Sequence, residues 1–390
     1  MSTRNWVVTG RDVPELTHFD QLIQSFMQER SIPNASAAIS YQGRLVFARA
    51  YTWSEANEEA IQPDARFRIA SISKPITAVA IMRLVQDGKL SLDDKVEQLI
   101  DLIPADGQQA DPRQAEITVR HLLQHLGGWD RDVSFDAMFM DQPISEAFGL
   151  ELPISIDDII RYMSGQKLDH DPGSKYAYSN YGYCLLGRII EKLTGQNYSD
   201  YVKQILLDPL GMHDTRLGKS LPEGRQPKEV RYFSDEEVPS VFDPRRPKVN
   251  FAYGGFNLEN MDAHGGWLSS AIDLVRFADS LDLSKDGPIL APESIREMLA
   301  EPAIGKNESE GYYACGWRVL LEHGGYTIGH RGSLPGTLTH LTKRANGVTW
   351  SVLFNQRNDP SGLPYDKFEE LMFAASDASE SWPEHDLFEE

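Results

Sequence analysis

Thiols are scarce in this sequence, which has only Cys184 and Cys315 among its 390 residues. Two cysteines cannot form the disulfide framework that holds many small secreted proteins together, so we predict reduced thiols. Long apolar runs are also missing. No segment approaches the roughly 18 consecutive apolar residues of a membrane-spanning helix, and residues 1–10 contain no apolar signal core. These absences predict a cytoplasmic protein that has no membrane partner.

Basic residues are outnumbered, with 38 Lys and Arg against 58 Asp and Glu, for a net charge of −20. Such a charge argues against binding to nucleic acid or to anionic membrane surfaces, because both attract basic proteins. Metal motifs are missing too, since His121 and His125 share a helical face but lack the accompanying Glu of a zinc motif. We therefore expect no nucleic-acid partner, no metal and no cofactor.

The pattern of apolar residues changes along the chain. Strand-like alternation predicts hairpins at 37–51 and 338–355 and strands at 315–320 and 326–330. Helical spacing predicts helices at the following positions: 15–30, 117–125, 180–195, 199–210, 271–282, 292–300 and 365–375. Thr118 and Ser155 are expected to cap helices. The segments 127–154 and 219–263 are long, irregular and rich in aromatic residues, and we expect them to form pocket walls.

Strands at both ends with helices between them predict one α+β module over 1–390. An antiparallel sheet flanked by N- and C-terminal helices would come from 12–70 and 265–375, and a mostly helical second lobe from 71–264. The acidic tail, 376–390, is expected to be flexible.

One stretch, 67–88, organises these expectations. Almost every position from Ile76 to Val85 is apolar, which is typical of a helix buried on all sides. Pro75 is tolerated only in a first turn, so the helix should begin near Ser71. Ser71 and Lys74 would then share a face at the positive end of the helix dipole. A hydroxyl beside an amine inside the protein suits covalent catalysis better than packing.

Three short motifs can be judged by how often they occur. Ser-x-x-Lys occurs at Ser71 and again at Ser164, where Lys167 completes it and Gly165 predicts the frayed end of a helix. Tyr-x-Asn occurs once, at Tyr178 to Asn180, before a predicted helix that Ser179 or Asn180 would cap. His-x-Gly occurs at four positions, which are His125, His264, His323 and His330. His330 is favoured because it ends a predicted strand, and His323 is its strongest competitor.

The order Ser-x-x-Lys, Tyr-x-Asn and His-x-Gly resembles that of the penicillin-recognising serine hydrolases: serine β-lactamases, penicillin-binding DD-peptidases, D-aminopeptidases and related esterases. The resemblance implies Ser71 as nucleophile, Tyr178 as general base and later acid, and Lys74 as the group that tunes both, although Lys74 itself could be the base. It also implies that the backbone N–H groups of Ser71 and Ser333 hold the oxyanion. Asn180 would bind the substrate, and His330 would join the proton network.

Arg331 departs from the family pattern. The residue between the basic residue and Gly332 is commonly Thr or Ser in this family, and its hydroxyl helps to bind a substrate carboxylate. Arg331 could bind that carboxylate as a fork or could crowd the pocket.

We therefore predict an esterase that forms an acyl-enzyme on small acyl esters, with acyl transfer as a further ability. The alternatives are a DD-peptidase, a D-aminopeptidase, a weak β-lactamase or, in another class, a ligand sensor without turnover. The partner would be a small-molecule ester or amide, and a homo-oligomer is left open.

Overall fold

The computed structural model describes residues 4–54, 59–246, 248–284, 286–306, 311–322, 325–358, 361–365 and 367–390. Its main element is an eight-stranded antiparallel sheet with strand order β1-β3-β2-β13-β12-β11-β10-β9. Three of these strands come from the N-terminal part: β1 (Asn5–Thr9), β2 (Asn34–Tyr41) and β3 (Arg44–Ser54). The other five come from the C-terminal part: β9 (Gly311–Tyr313), β10 (Arg318–Glu322), β11 (Gly325–Leu334), β12 (Thr337–Lys343) and β13 (Val348–Phe354). The sheet therefore joins the two ends of the chain, which confirms the predicted fold class.

Most helices lie in the middle of the chain. In chain order the helices are α1 (Thr17–Glu29), α2 (Ser73–Gln86), α3 (Val96–Leu99), α4 (Val119–Leu123), α5 (Asp141–Phe148), α6 (Ile156–Ser164), α7 (Asn180–Thr194), α8 (Tyr198–Val202), α9 (Asp208–Leu210), α10 (Ala271–Asp279), α11 (Pro292–Met298) and α12 (Lys367–Asp377). A π-helical turn, Lys203–Leu207, joins α8 to α9. Thr118 and Ser155 cap α4 and α6 through capping boxes, as predicted. Within the described ranges, no helix has the length and apolarity to cross a bilayer.

The sheet is covered on both faces. On one face, α1 and α12 pack against it and bury a cluster of apolar side chains that includes Phe19, Phe26, Phe47, Trp350, Phe354 and Phe368. On the other face lie α10 and the larger apolar cluster that contains α2. Because the sheet has neighbours on both faces, β2 is buried along nearly its whole length instead of alternating between core and solvent.

Two short sheets complete the strands. The first has the order β4-β8-β5, formed by β4 (Phe67–Arg68), β8 (Trp267–Ser269) and β5 (Arg216–Leu217). The second pairs β6 (Glu237–Val238) with β7 (Val249–Asn250). Since β4 ends just before Ser71 and pairs with β8, the first sheet anchors the start of the stretch around which the active site is built.

Three expectations are corrected. The edge strand β1 begins before the predicted sheet region and pairs with β3, where Trp6 stacks on Trp53 with ring centroids 5.5 Å apart. Segment 127–154 contains α5, although it was expected to be irregular. The acidic tail packs on the β2–β3 hairpin: Trp382 stacks on Tyr41 at 5.0 Å, and the Leu387 N–H donates to the Leu45 carbonyl at 2.8 Å.

Candidate active site

Ser71 lies in a 3₁₀ turn, Ala70–Ile72, that leads directly into α2. Two hydrogen bonds to the backbone of Ile69 hold the start of the turn: the Ile69 N–H donates to the Trp267 carbonyl at 2.9 Å, and the Thr339 hydroxyl donates to the Ile69 carbonyl at 2.9 Å. Ala70 has a φ of 48°, a left-handed conformation that a residue with a side chain rarely adopts. The surrounding strands thus hold the candidate nucleophile on a strained turn.

Lys74 follows one turn later and is fully buried in α2. Its Nζ atom lies 3.2 Å from Ser71 Oγ, 2.7 Å from Asn180 Oδ1 and 3.0 Å from the carbonyl oxygen of His264. The two carbonyl oxygens can only accept hydrogen bonds, so both must receive an N–H from Lys74. A neutral amine has two N–H groups and one lone pair, and the lone pair is then left for the Ser71 hydroxyl.

The surroundings of Lys74 favour this neutral form. Burial lowers the pKa of Lys74 well below its usual value, the Asp136 carboxylate raises it, and the Arg131 guanidinium lowers it further. A neutral amine that accepts from a serine hydroxyl can act as a general base.

Tyr178 stands just before α7, where the Ser179 hydroxyl caps the helix by accepting the Gly182 N–H at 3.2 Å. The phenol ring lies against the amine, with the Lys74 Nζ atom 4.7 Å from the centre of the Tyr178 ring. Burial raises the pKa of Tyr178 far above its usual value, although the nearby Ser71 side chain and the charge of Arg131 oppose the shift. The phenol is therefore protonated at neutral pH, as an acid must be.

His330 lies on β11 and is buried, with both ring nitrogens occupied. Its Nδ1 atom is 2.7 Å from the Arg331 carbonyl, which requires a proton on Nδ1, and Nε2 then accepts from the Tyr313 hydroxyl at 2.9 Å. Burial and the nearby Lys74 lower the pKa of His330 to about 3, so the ring is neutral. His330 packs 6.5 Å from the Tyr178 ring centre and forms part of the wall behind the tyrosine.

Arg331 points away from the site. Side chains alternate along a strand, and His330 and Gly332 face the Ser71 turn, so Arg331 faces the opposite side of the sheet. There its Nε donates to Glu369 Oε2 of α12 at 2.8 Å, and Arg318 reaches the same oxygen at 3.1 Å. The expectation that Arg331 binds a substrate carboxylate or crowds the pocket is therefore wrong.

Gly332 brings β11 onto the Ser71 turn. A Cβ atom at this position would lie 2.1 Å from the Ile69 carbonyl oxygen and 2.2 Å from Thr339 Oγ1, so only glycine fits. Among the described residues, the pairing of β10 with β11 ends where Arg318 lies opposite Gly329. The remaining edge of β11 runs beside the turn and carries Ser333, whose side chain is exposed. The role of the Ser333 N–H as an oxyanion donor stays a prediction.

The other sequence motifs fall outside the catalytic group. Ser164 is the last residue of α6 and donates to the Ile160 carbonyl at 2.8 Å, so the second Ser-x-x-Lys is a helix end, as predicted. His264 contributes its backbone carbonyl to Lys74. His125 is buried, accepts the Ser179 N–H at 3.2 Å and packs 4.1 Å from the Tyr178 ring centre, so it positions that tyrosine. His323 lies outside the described residues.

Sequence reasoning missed Asp136 and Arg131. Asn180 Nδ2 donates to Asp136 Oδ2 at 2.6 Å, and the Arg131 guanidinium lies 3.9 Å from the same carboxylate and 4.6 Å from the Tyr178 ring centre. Both residues belong to segment 127–154, which was expected to form a pocket wall. No motif distinguishes them from the other charged residues of that segment, so only the fold reveals them.

Segments 127–154 and 219–263 also line a separate cleft of about 1230 Å³. Its walls include Leu150, Leu221, Phe242, Arg245 and Tyr253, but neither Ser71 nor Tyr178. In the part of the chain that the structure describes, no group of three or more His, Cys, Asp or Glu side chains is arranged to hold a metal ion.

The geometry can be compared with that of known proteins. Residues 19–371 match the Beta-lactamase family. Esterase EstB of Burkholderia gladioli is 31% identical over 308 residues, which cover 73% of this chain and 74% of that protein. Protein flp of Staphylococcus aureus is 30% identical over 197 residues, but this match covers only 50% of the chain and 37% of flp.

Among solved structures, the octameric penicillin-binding protein homologue from Pyrococcus abyssi superposes with a TM-score of 0.69 at 27% identity, covering 93% of this chain and 77% of that one. The family match spans the Ser71 turn, the Tyr178 loop and strand β11. The chain thus belongs to the Beta-lactamase family.

Proposed function

We propose that the protein is a carboxylesterase that hydrolyses small acyl esters through an acyl-enzyme on Ser71. The observation that carries this proposal is the position of Arg331, whose guanidinium is paired with Glu369 on the far face of the sheet. With His330 neutral and Arg331 turned away, these two residues offer the pocket neither a cation nor a hydroxyl for a substrate carboxylate. An uncharged ester does not need such a group, whereas β-lactams and peptides that end in D-alanine carry a carboxylate.

In the proposed acylation, the Lys74 lone pair accepts the proton of the Ser71 hydroxyl while Oγ attacks the ester carbonyl carbon. The backbone N–H groups of Ser71 and Ser333 stabilise the oxyanion. When the C–O bond breaks, Tyr178 donates its proton to the departing alkoxide and regains a proton from the ammonium of Lys74. This assignment makes Lys74 the base and Tyr178 the acid, and it is supported by the neutral amine and the protonated phenol.

Deacylation completes the proposed cycle. Water attacks the acyl carbon and releases the carboxylic acid and Ser71, or an alcohol attacks instead and gives a new ester. The similarity to esterase EstB supports ester substrates. The octameric relative from P. abyssi supports a homo-oligomer for this chain, which light scattering in solution tests.

Three chromogenic substrates separate the activities: p-nitrophenyl butyrate, nitrocefin and D-alanine p-nitroanilide. We expect turnover of the ester, and loss of that turnover together with fluorophosphonate labelling in Ser71→Ala. Ser164→Ala is the matched control, because it removes the serine of the other Ser-x-x-Lys sequence at the end of α6 and should leave both readouts unchanged.

Other outcomes would contradict the proposal. Turnover of nitrocefin or of the anilide far above that of the ester would establish a β-lactamase or an aminopeptidase. Stoichiometric labelling of Ser71 without turnover of any of the three would favour a ligand sensor.

A further inference from the structure

A line of three side chains runs from the loop at Asp136 through Asn180 to Lys74. Asn180 is buried, and its Nδ2 atom donates to Asp136 Oδ2 at 2.6 Å while its Oδ1 atom lies 2.7 Å from Lys74 Nζ. Asp136 is itself fixed, because its Oδ1 atom accepts the Met138 N–H at 3.2 Å and so caps the short 3₁₀ helix that follows. The carboxylate therefore has a defined position behind the amide.

Asp136 determines which way the Asn180 amide faces. A carboxylate can only accept hydrogen bonds, so the NH₂ group of the amide must point at Asp136 and the carbonyl oxygen must point at Lys74. In the reverse orientation an N–H of Asn180 would point at the Lys74 lone pair. That lone pair would then no longer be available to the Ser71 hydroxyl.

We propose that Asp136 is a positioning residue that acts through Asn180 to keep the Lys74 lone pair directed at Ser71, and that its charge, opposed by that of Arg131, tunes the basicity of Lys74. The inference rests on the proposed function, in which Lys74 is the base. Asp136 touches neither the nucleophile nor the substrate carbonyl in this scheme. Its effect is transmitted by one hydrogen bond and by its electric field.

Few of the ionisable groups around Lys74 carry a charge. Burial keeps the neighbouring histidines His125, His264 and His330 neutral, because it lowers the pKa of each ring. Burial also keeps the facing phenols of Tyr178 and Tyr183 protonated, because it raises their pKa. Among the described residues, Asp136 and Arg131 are the charged side chains that shift the pKa of Lys74, in opposite directions. Removing the Asp136 carboxylate should therefore lower the pKa of Lys74, and removing the Arg131 guanidinium should raise it.

The rate of labelling by a fluorophosphonate, measured against pH, tests the inference without an ester substrate. In this reaction the Ser71 Oγ–P bond forms, the P–F bond breaks with release of fluoride, and Lys74 takes the hydroxyl proton. The rate should rise with pH as Lys74 loses its proton. In Asp136→Asn this rise should move to lower pH by at least about half a unit, because a negative charge that favours the ammonium form is gone. In Arg131→Gln it should move to higher pH.

Two further variants separate positioning from charge. The amide introduced by Asp136→Asn can still accept from Asn180, so the maximal labelling rate should stay within about threefold, whereas Asp136→Ala frees the amide and should lower the maximal rate by about tenfold or more. Asp132→Asn removes a charge from the same loop at an exposed position and should change neither quantity.

The inference would be overturned if the rise of the labelling rate in Asp136→Asn stays at the wild-type pH or moves to higher pH. This test holds even if Asp136→Ala fails to fold. The proposed function fails separately, when the wild-type protein is labelled but does not hydrolyse esters.

Discussion

At the scale of single residues, the chemistry depends on which of two buried groups carries a proton. Lys74 has two carbonyl acceptors and one hydroxyl around its nitrogen, an environment that a neutral amine satisfies completely. Tyr178 has a raised pKa and is a phenol at neutral pH. In the proposed mechanism the same burial prepares a base at Lys74 and an acid at Tyr178, because desolvation disfavours the charged form of each.

Tyr178→Phe distinguishes an acid from a base. If Tyr178 protonates the leaving group, its removal should lower kcat/KM by about 10² or more for an ethyl ester, whose alkoxide needs a proton to depart. The loss should be below about tenfold for a p-nitrophenyl ester, whose phenolate leaves unaided. Equal losses on the two esters, measured side by side, would return the role of base to Tyr178.

The roles of Ser71 and Lys74 could be proposed from sequence, because a nearly all-apolar run with Pro75 at its start fixes a buried helix and places both residues on one face. The face of the sheet to which the Arg331 side chain points could not be predicted from sequence. Its side chain is committed to Glu369, which lies on α12 and is brought near β11 only by the fold. The role of Asp136 could not be predicted for the same reason, since its partner Asn180 is 44 residues away along the chain.

At the scale of elements, the site depends on how closely strand β11 approaches the turn before α2. Gly332→Ala would place a methyl group against Ile69 and Thr339, at positions that overlap both atoms. The strand must then move away from Ser71, and we expect kcat/KM to fall by about 10² because a shift of about 1 Å in catalytic geometry costs that much.

Gly182→Ala provides the control for that substitution. A Cβ atom at Gly182 in α7 would lie 3.7 Å from its nearest neighbour, an ordinary contact, so activity should be retained. Thermal unfolding of both variants shows whether the protein remains folded. A Gly332→Ala enzyme with full activity would mean that the strand does not need this close approach.

At the scale of the whole molecule, the two ends of the chain form one sheet, and the middle of the chain supplies the helices behind the site. Alternating apolar residues predicted the inner hairpins of that sheet. They did not predict β1, a five-residue edge strand whose Trp6 stacks on Trp53. They also did not predict the packing of the tail, whose acidic composition is typical of flexible segments. Trp382 stacks on Tyr41 and so holds the tail against the sheet. The two residues lie near opposite ends of the sequence, so the sequence pattern does not reveal this contact.

Trp382→Ala tests the packing of the tail. The indole is half-buried, and its loss should lower the free energy of unfolding by about 1–3 kcal/mol, the cost of removing part of a buried aromatic contact. Because the tail lies on the hairpin of β2 and β3, kcat should not change. Chemical denaturation measures the first effect and ester turnover the second. An unchanged unfolding free energy would mean that the tail is free in solution.

The most direct test of the proposed mechanism is to quench the protein during turnover of p-nitrophenyl butyrate and to locate the acyl group by mass spectrometry. We expect a butyryl ester on Ser71 in the wild-type protein and none in Ser71→Ala. A butyryl group on any other residue, or continued turnover by Ser71→Ala, would contradict it.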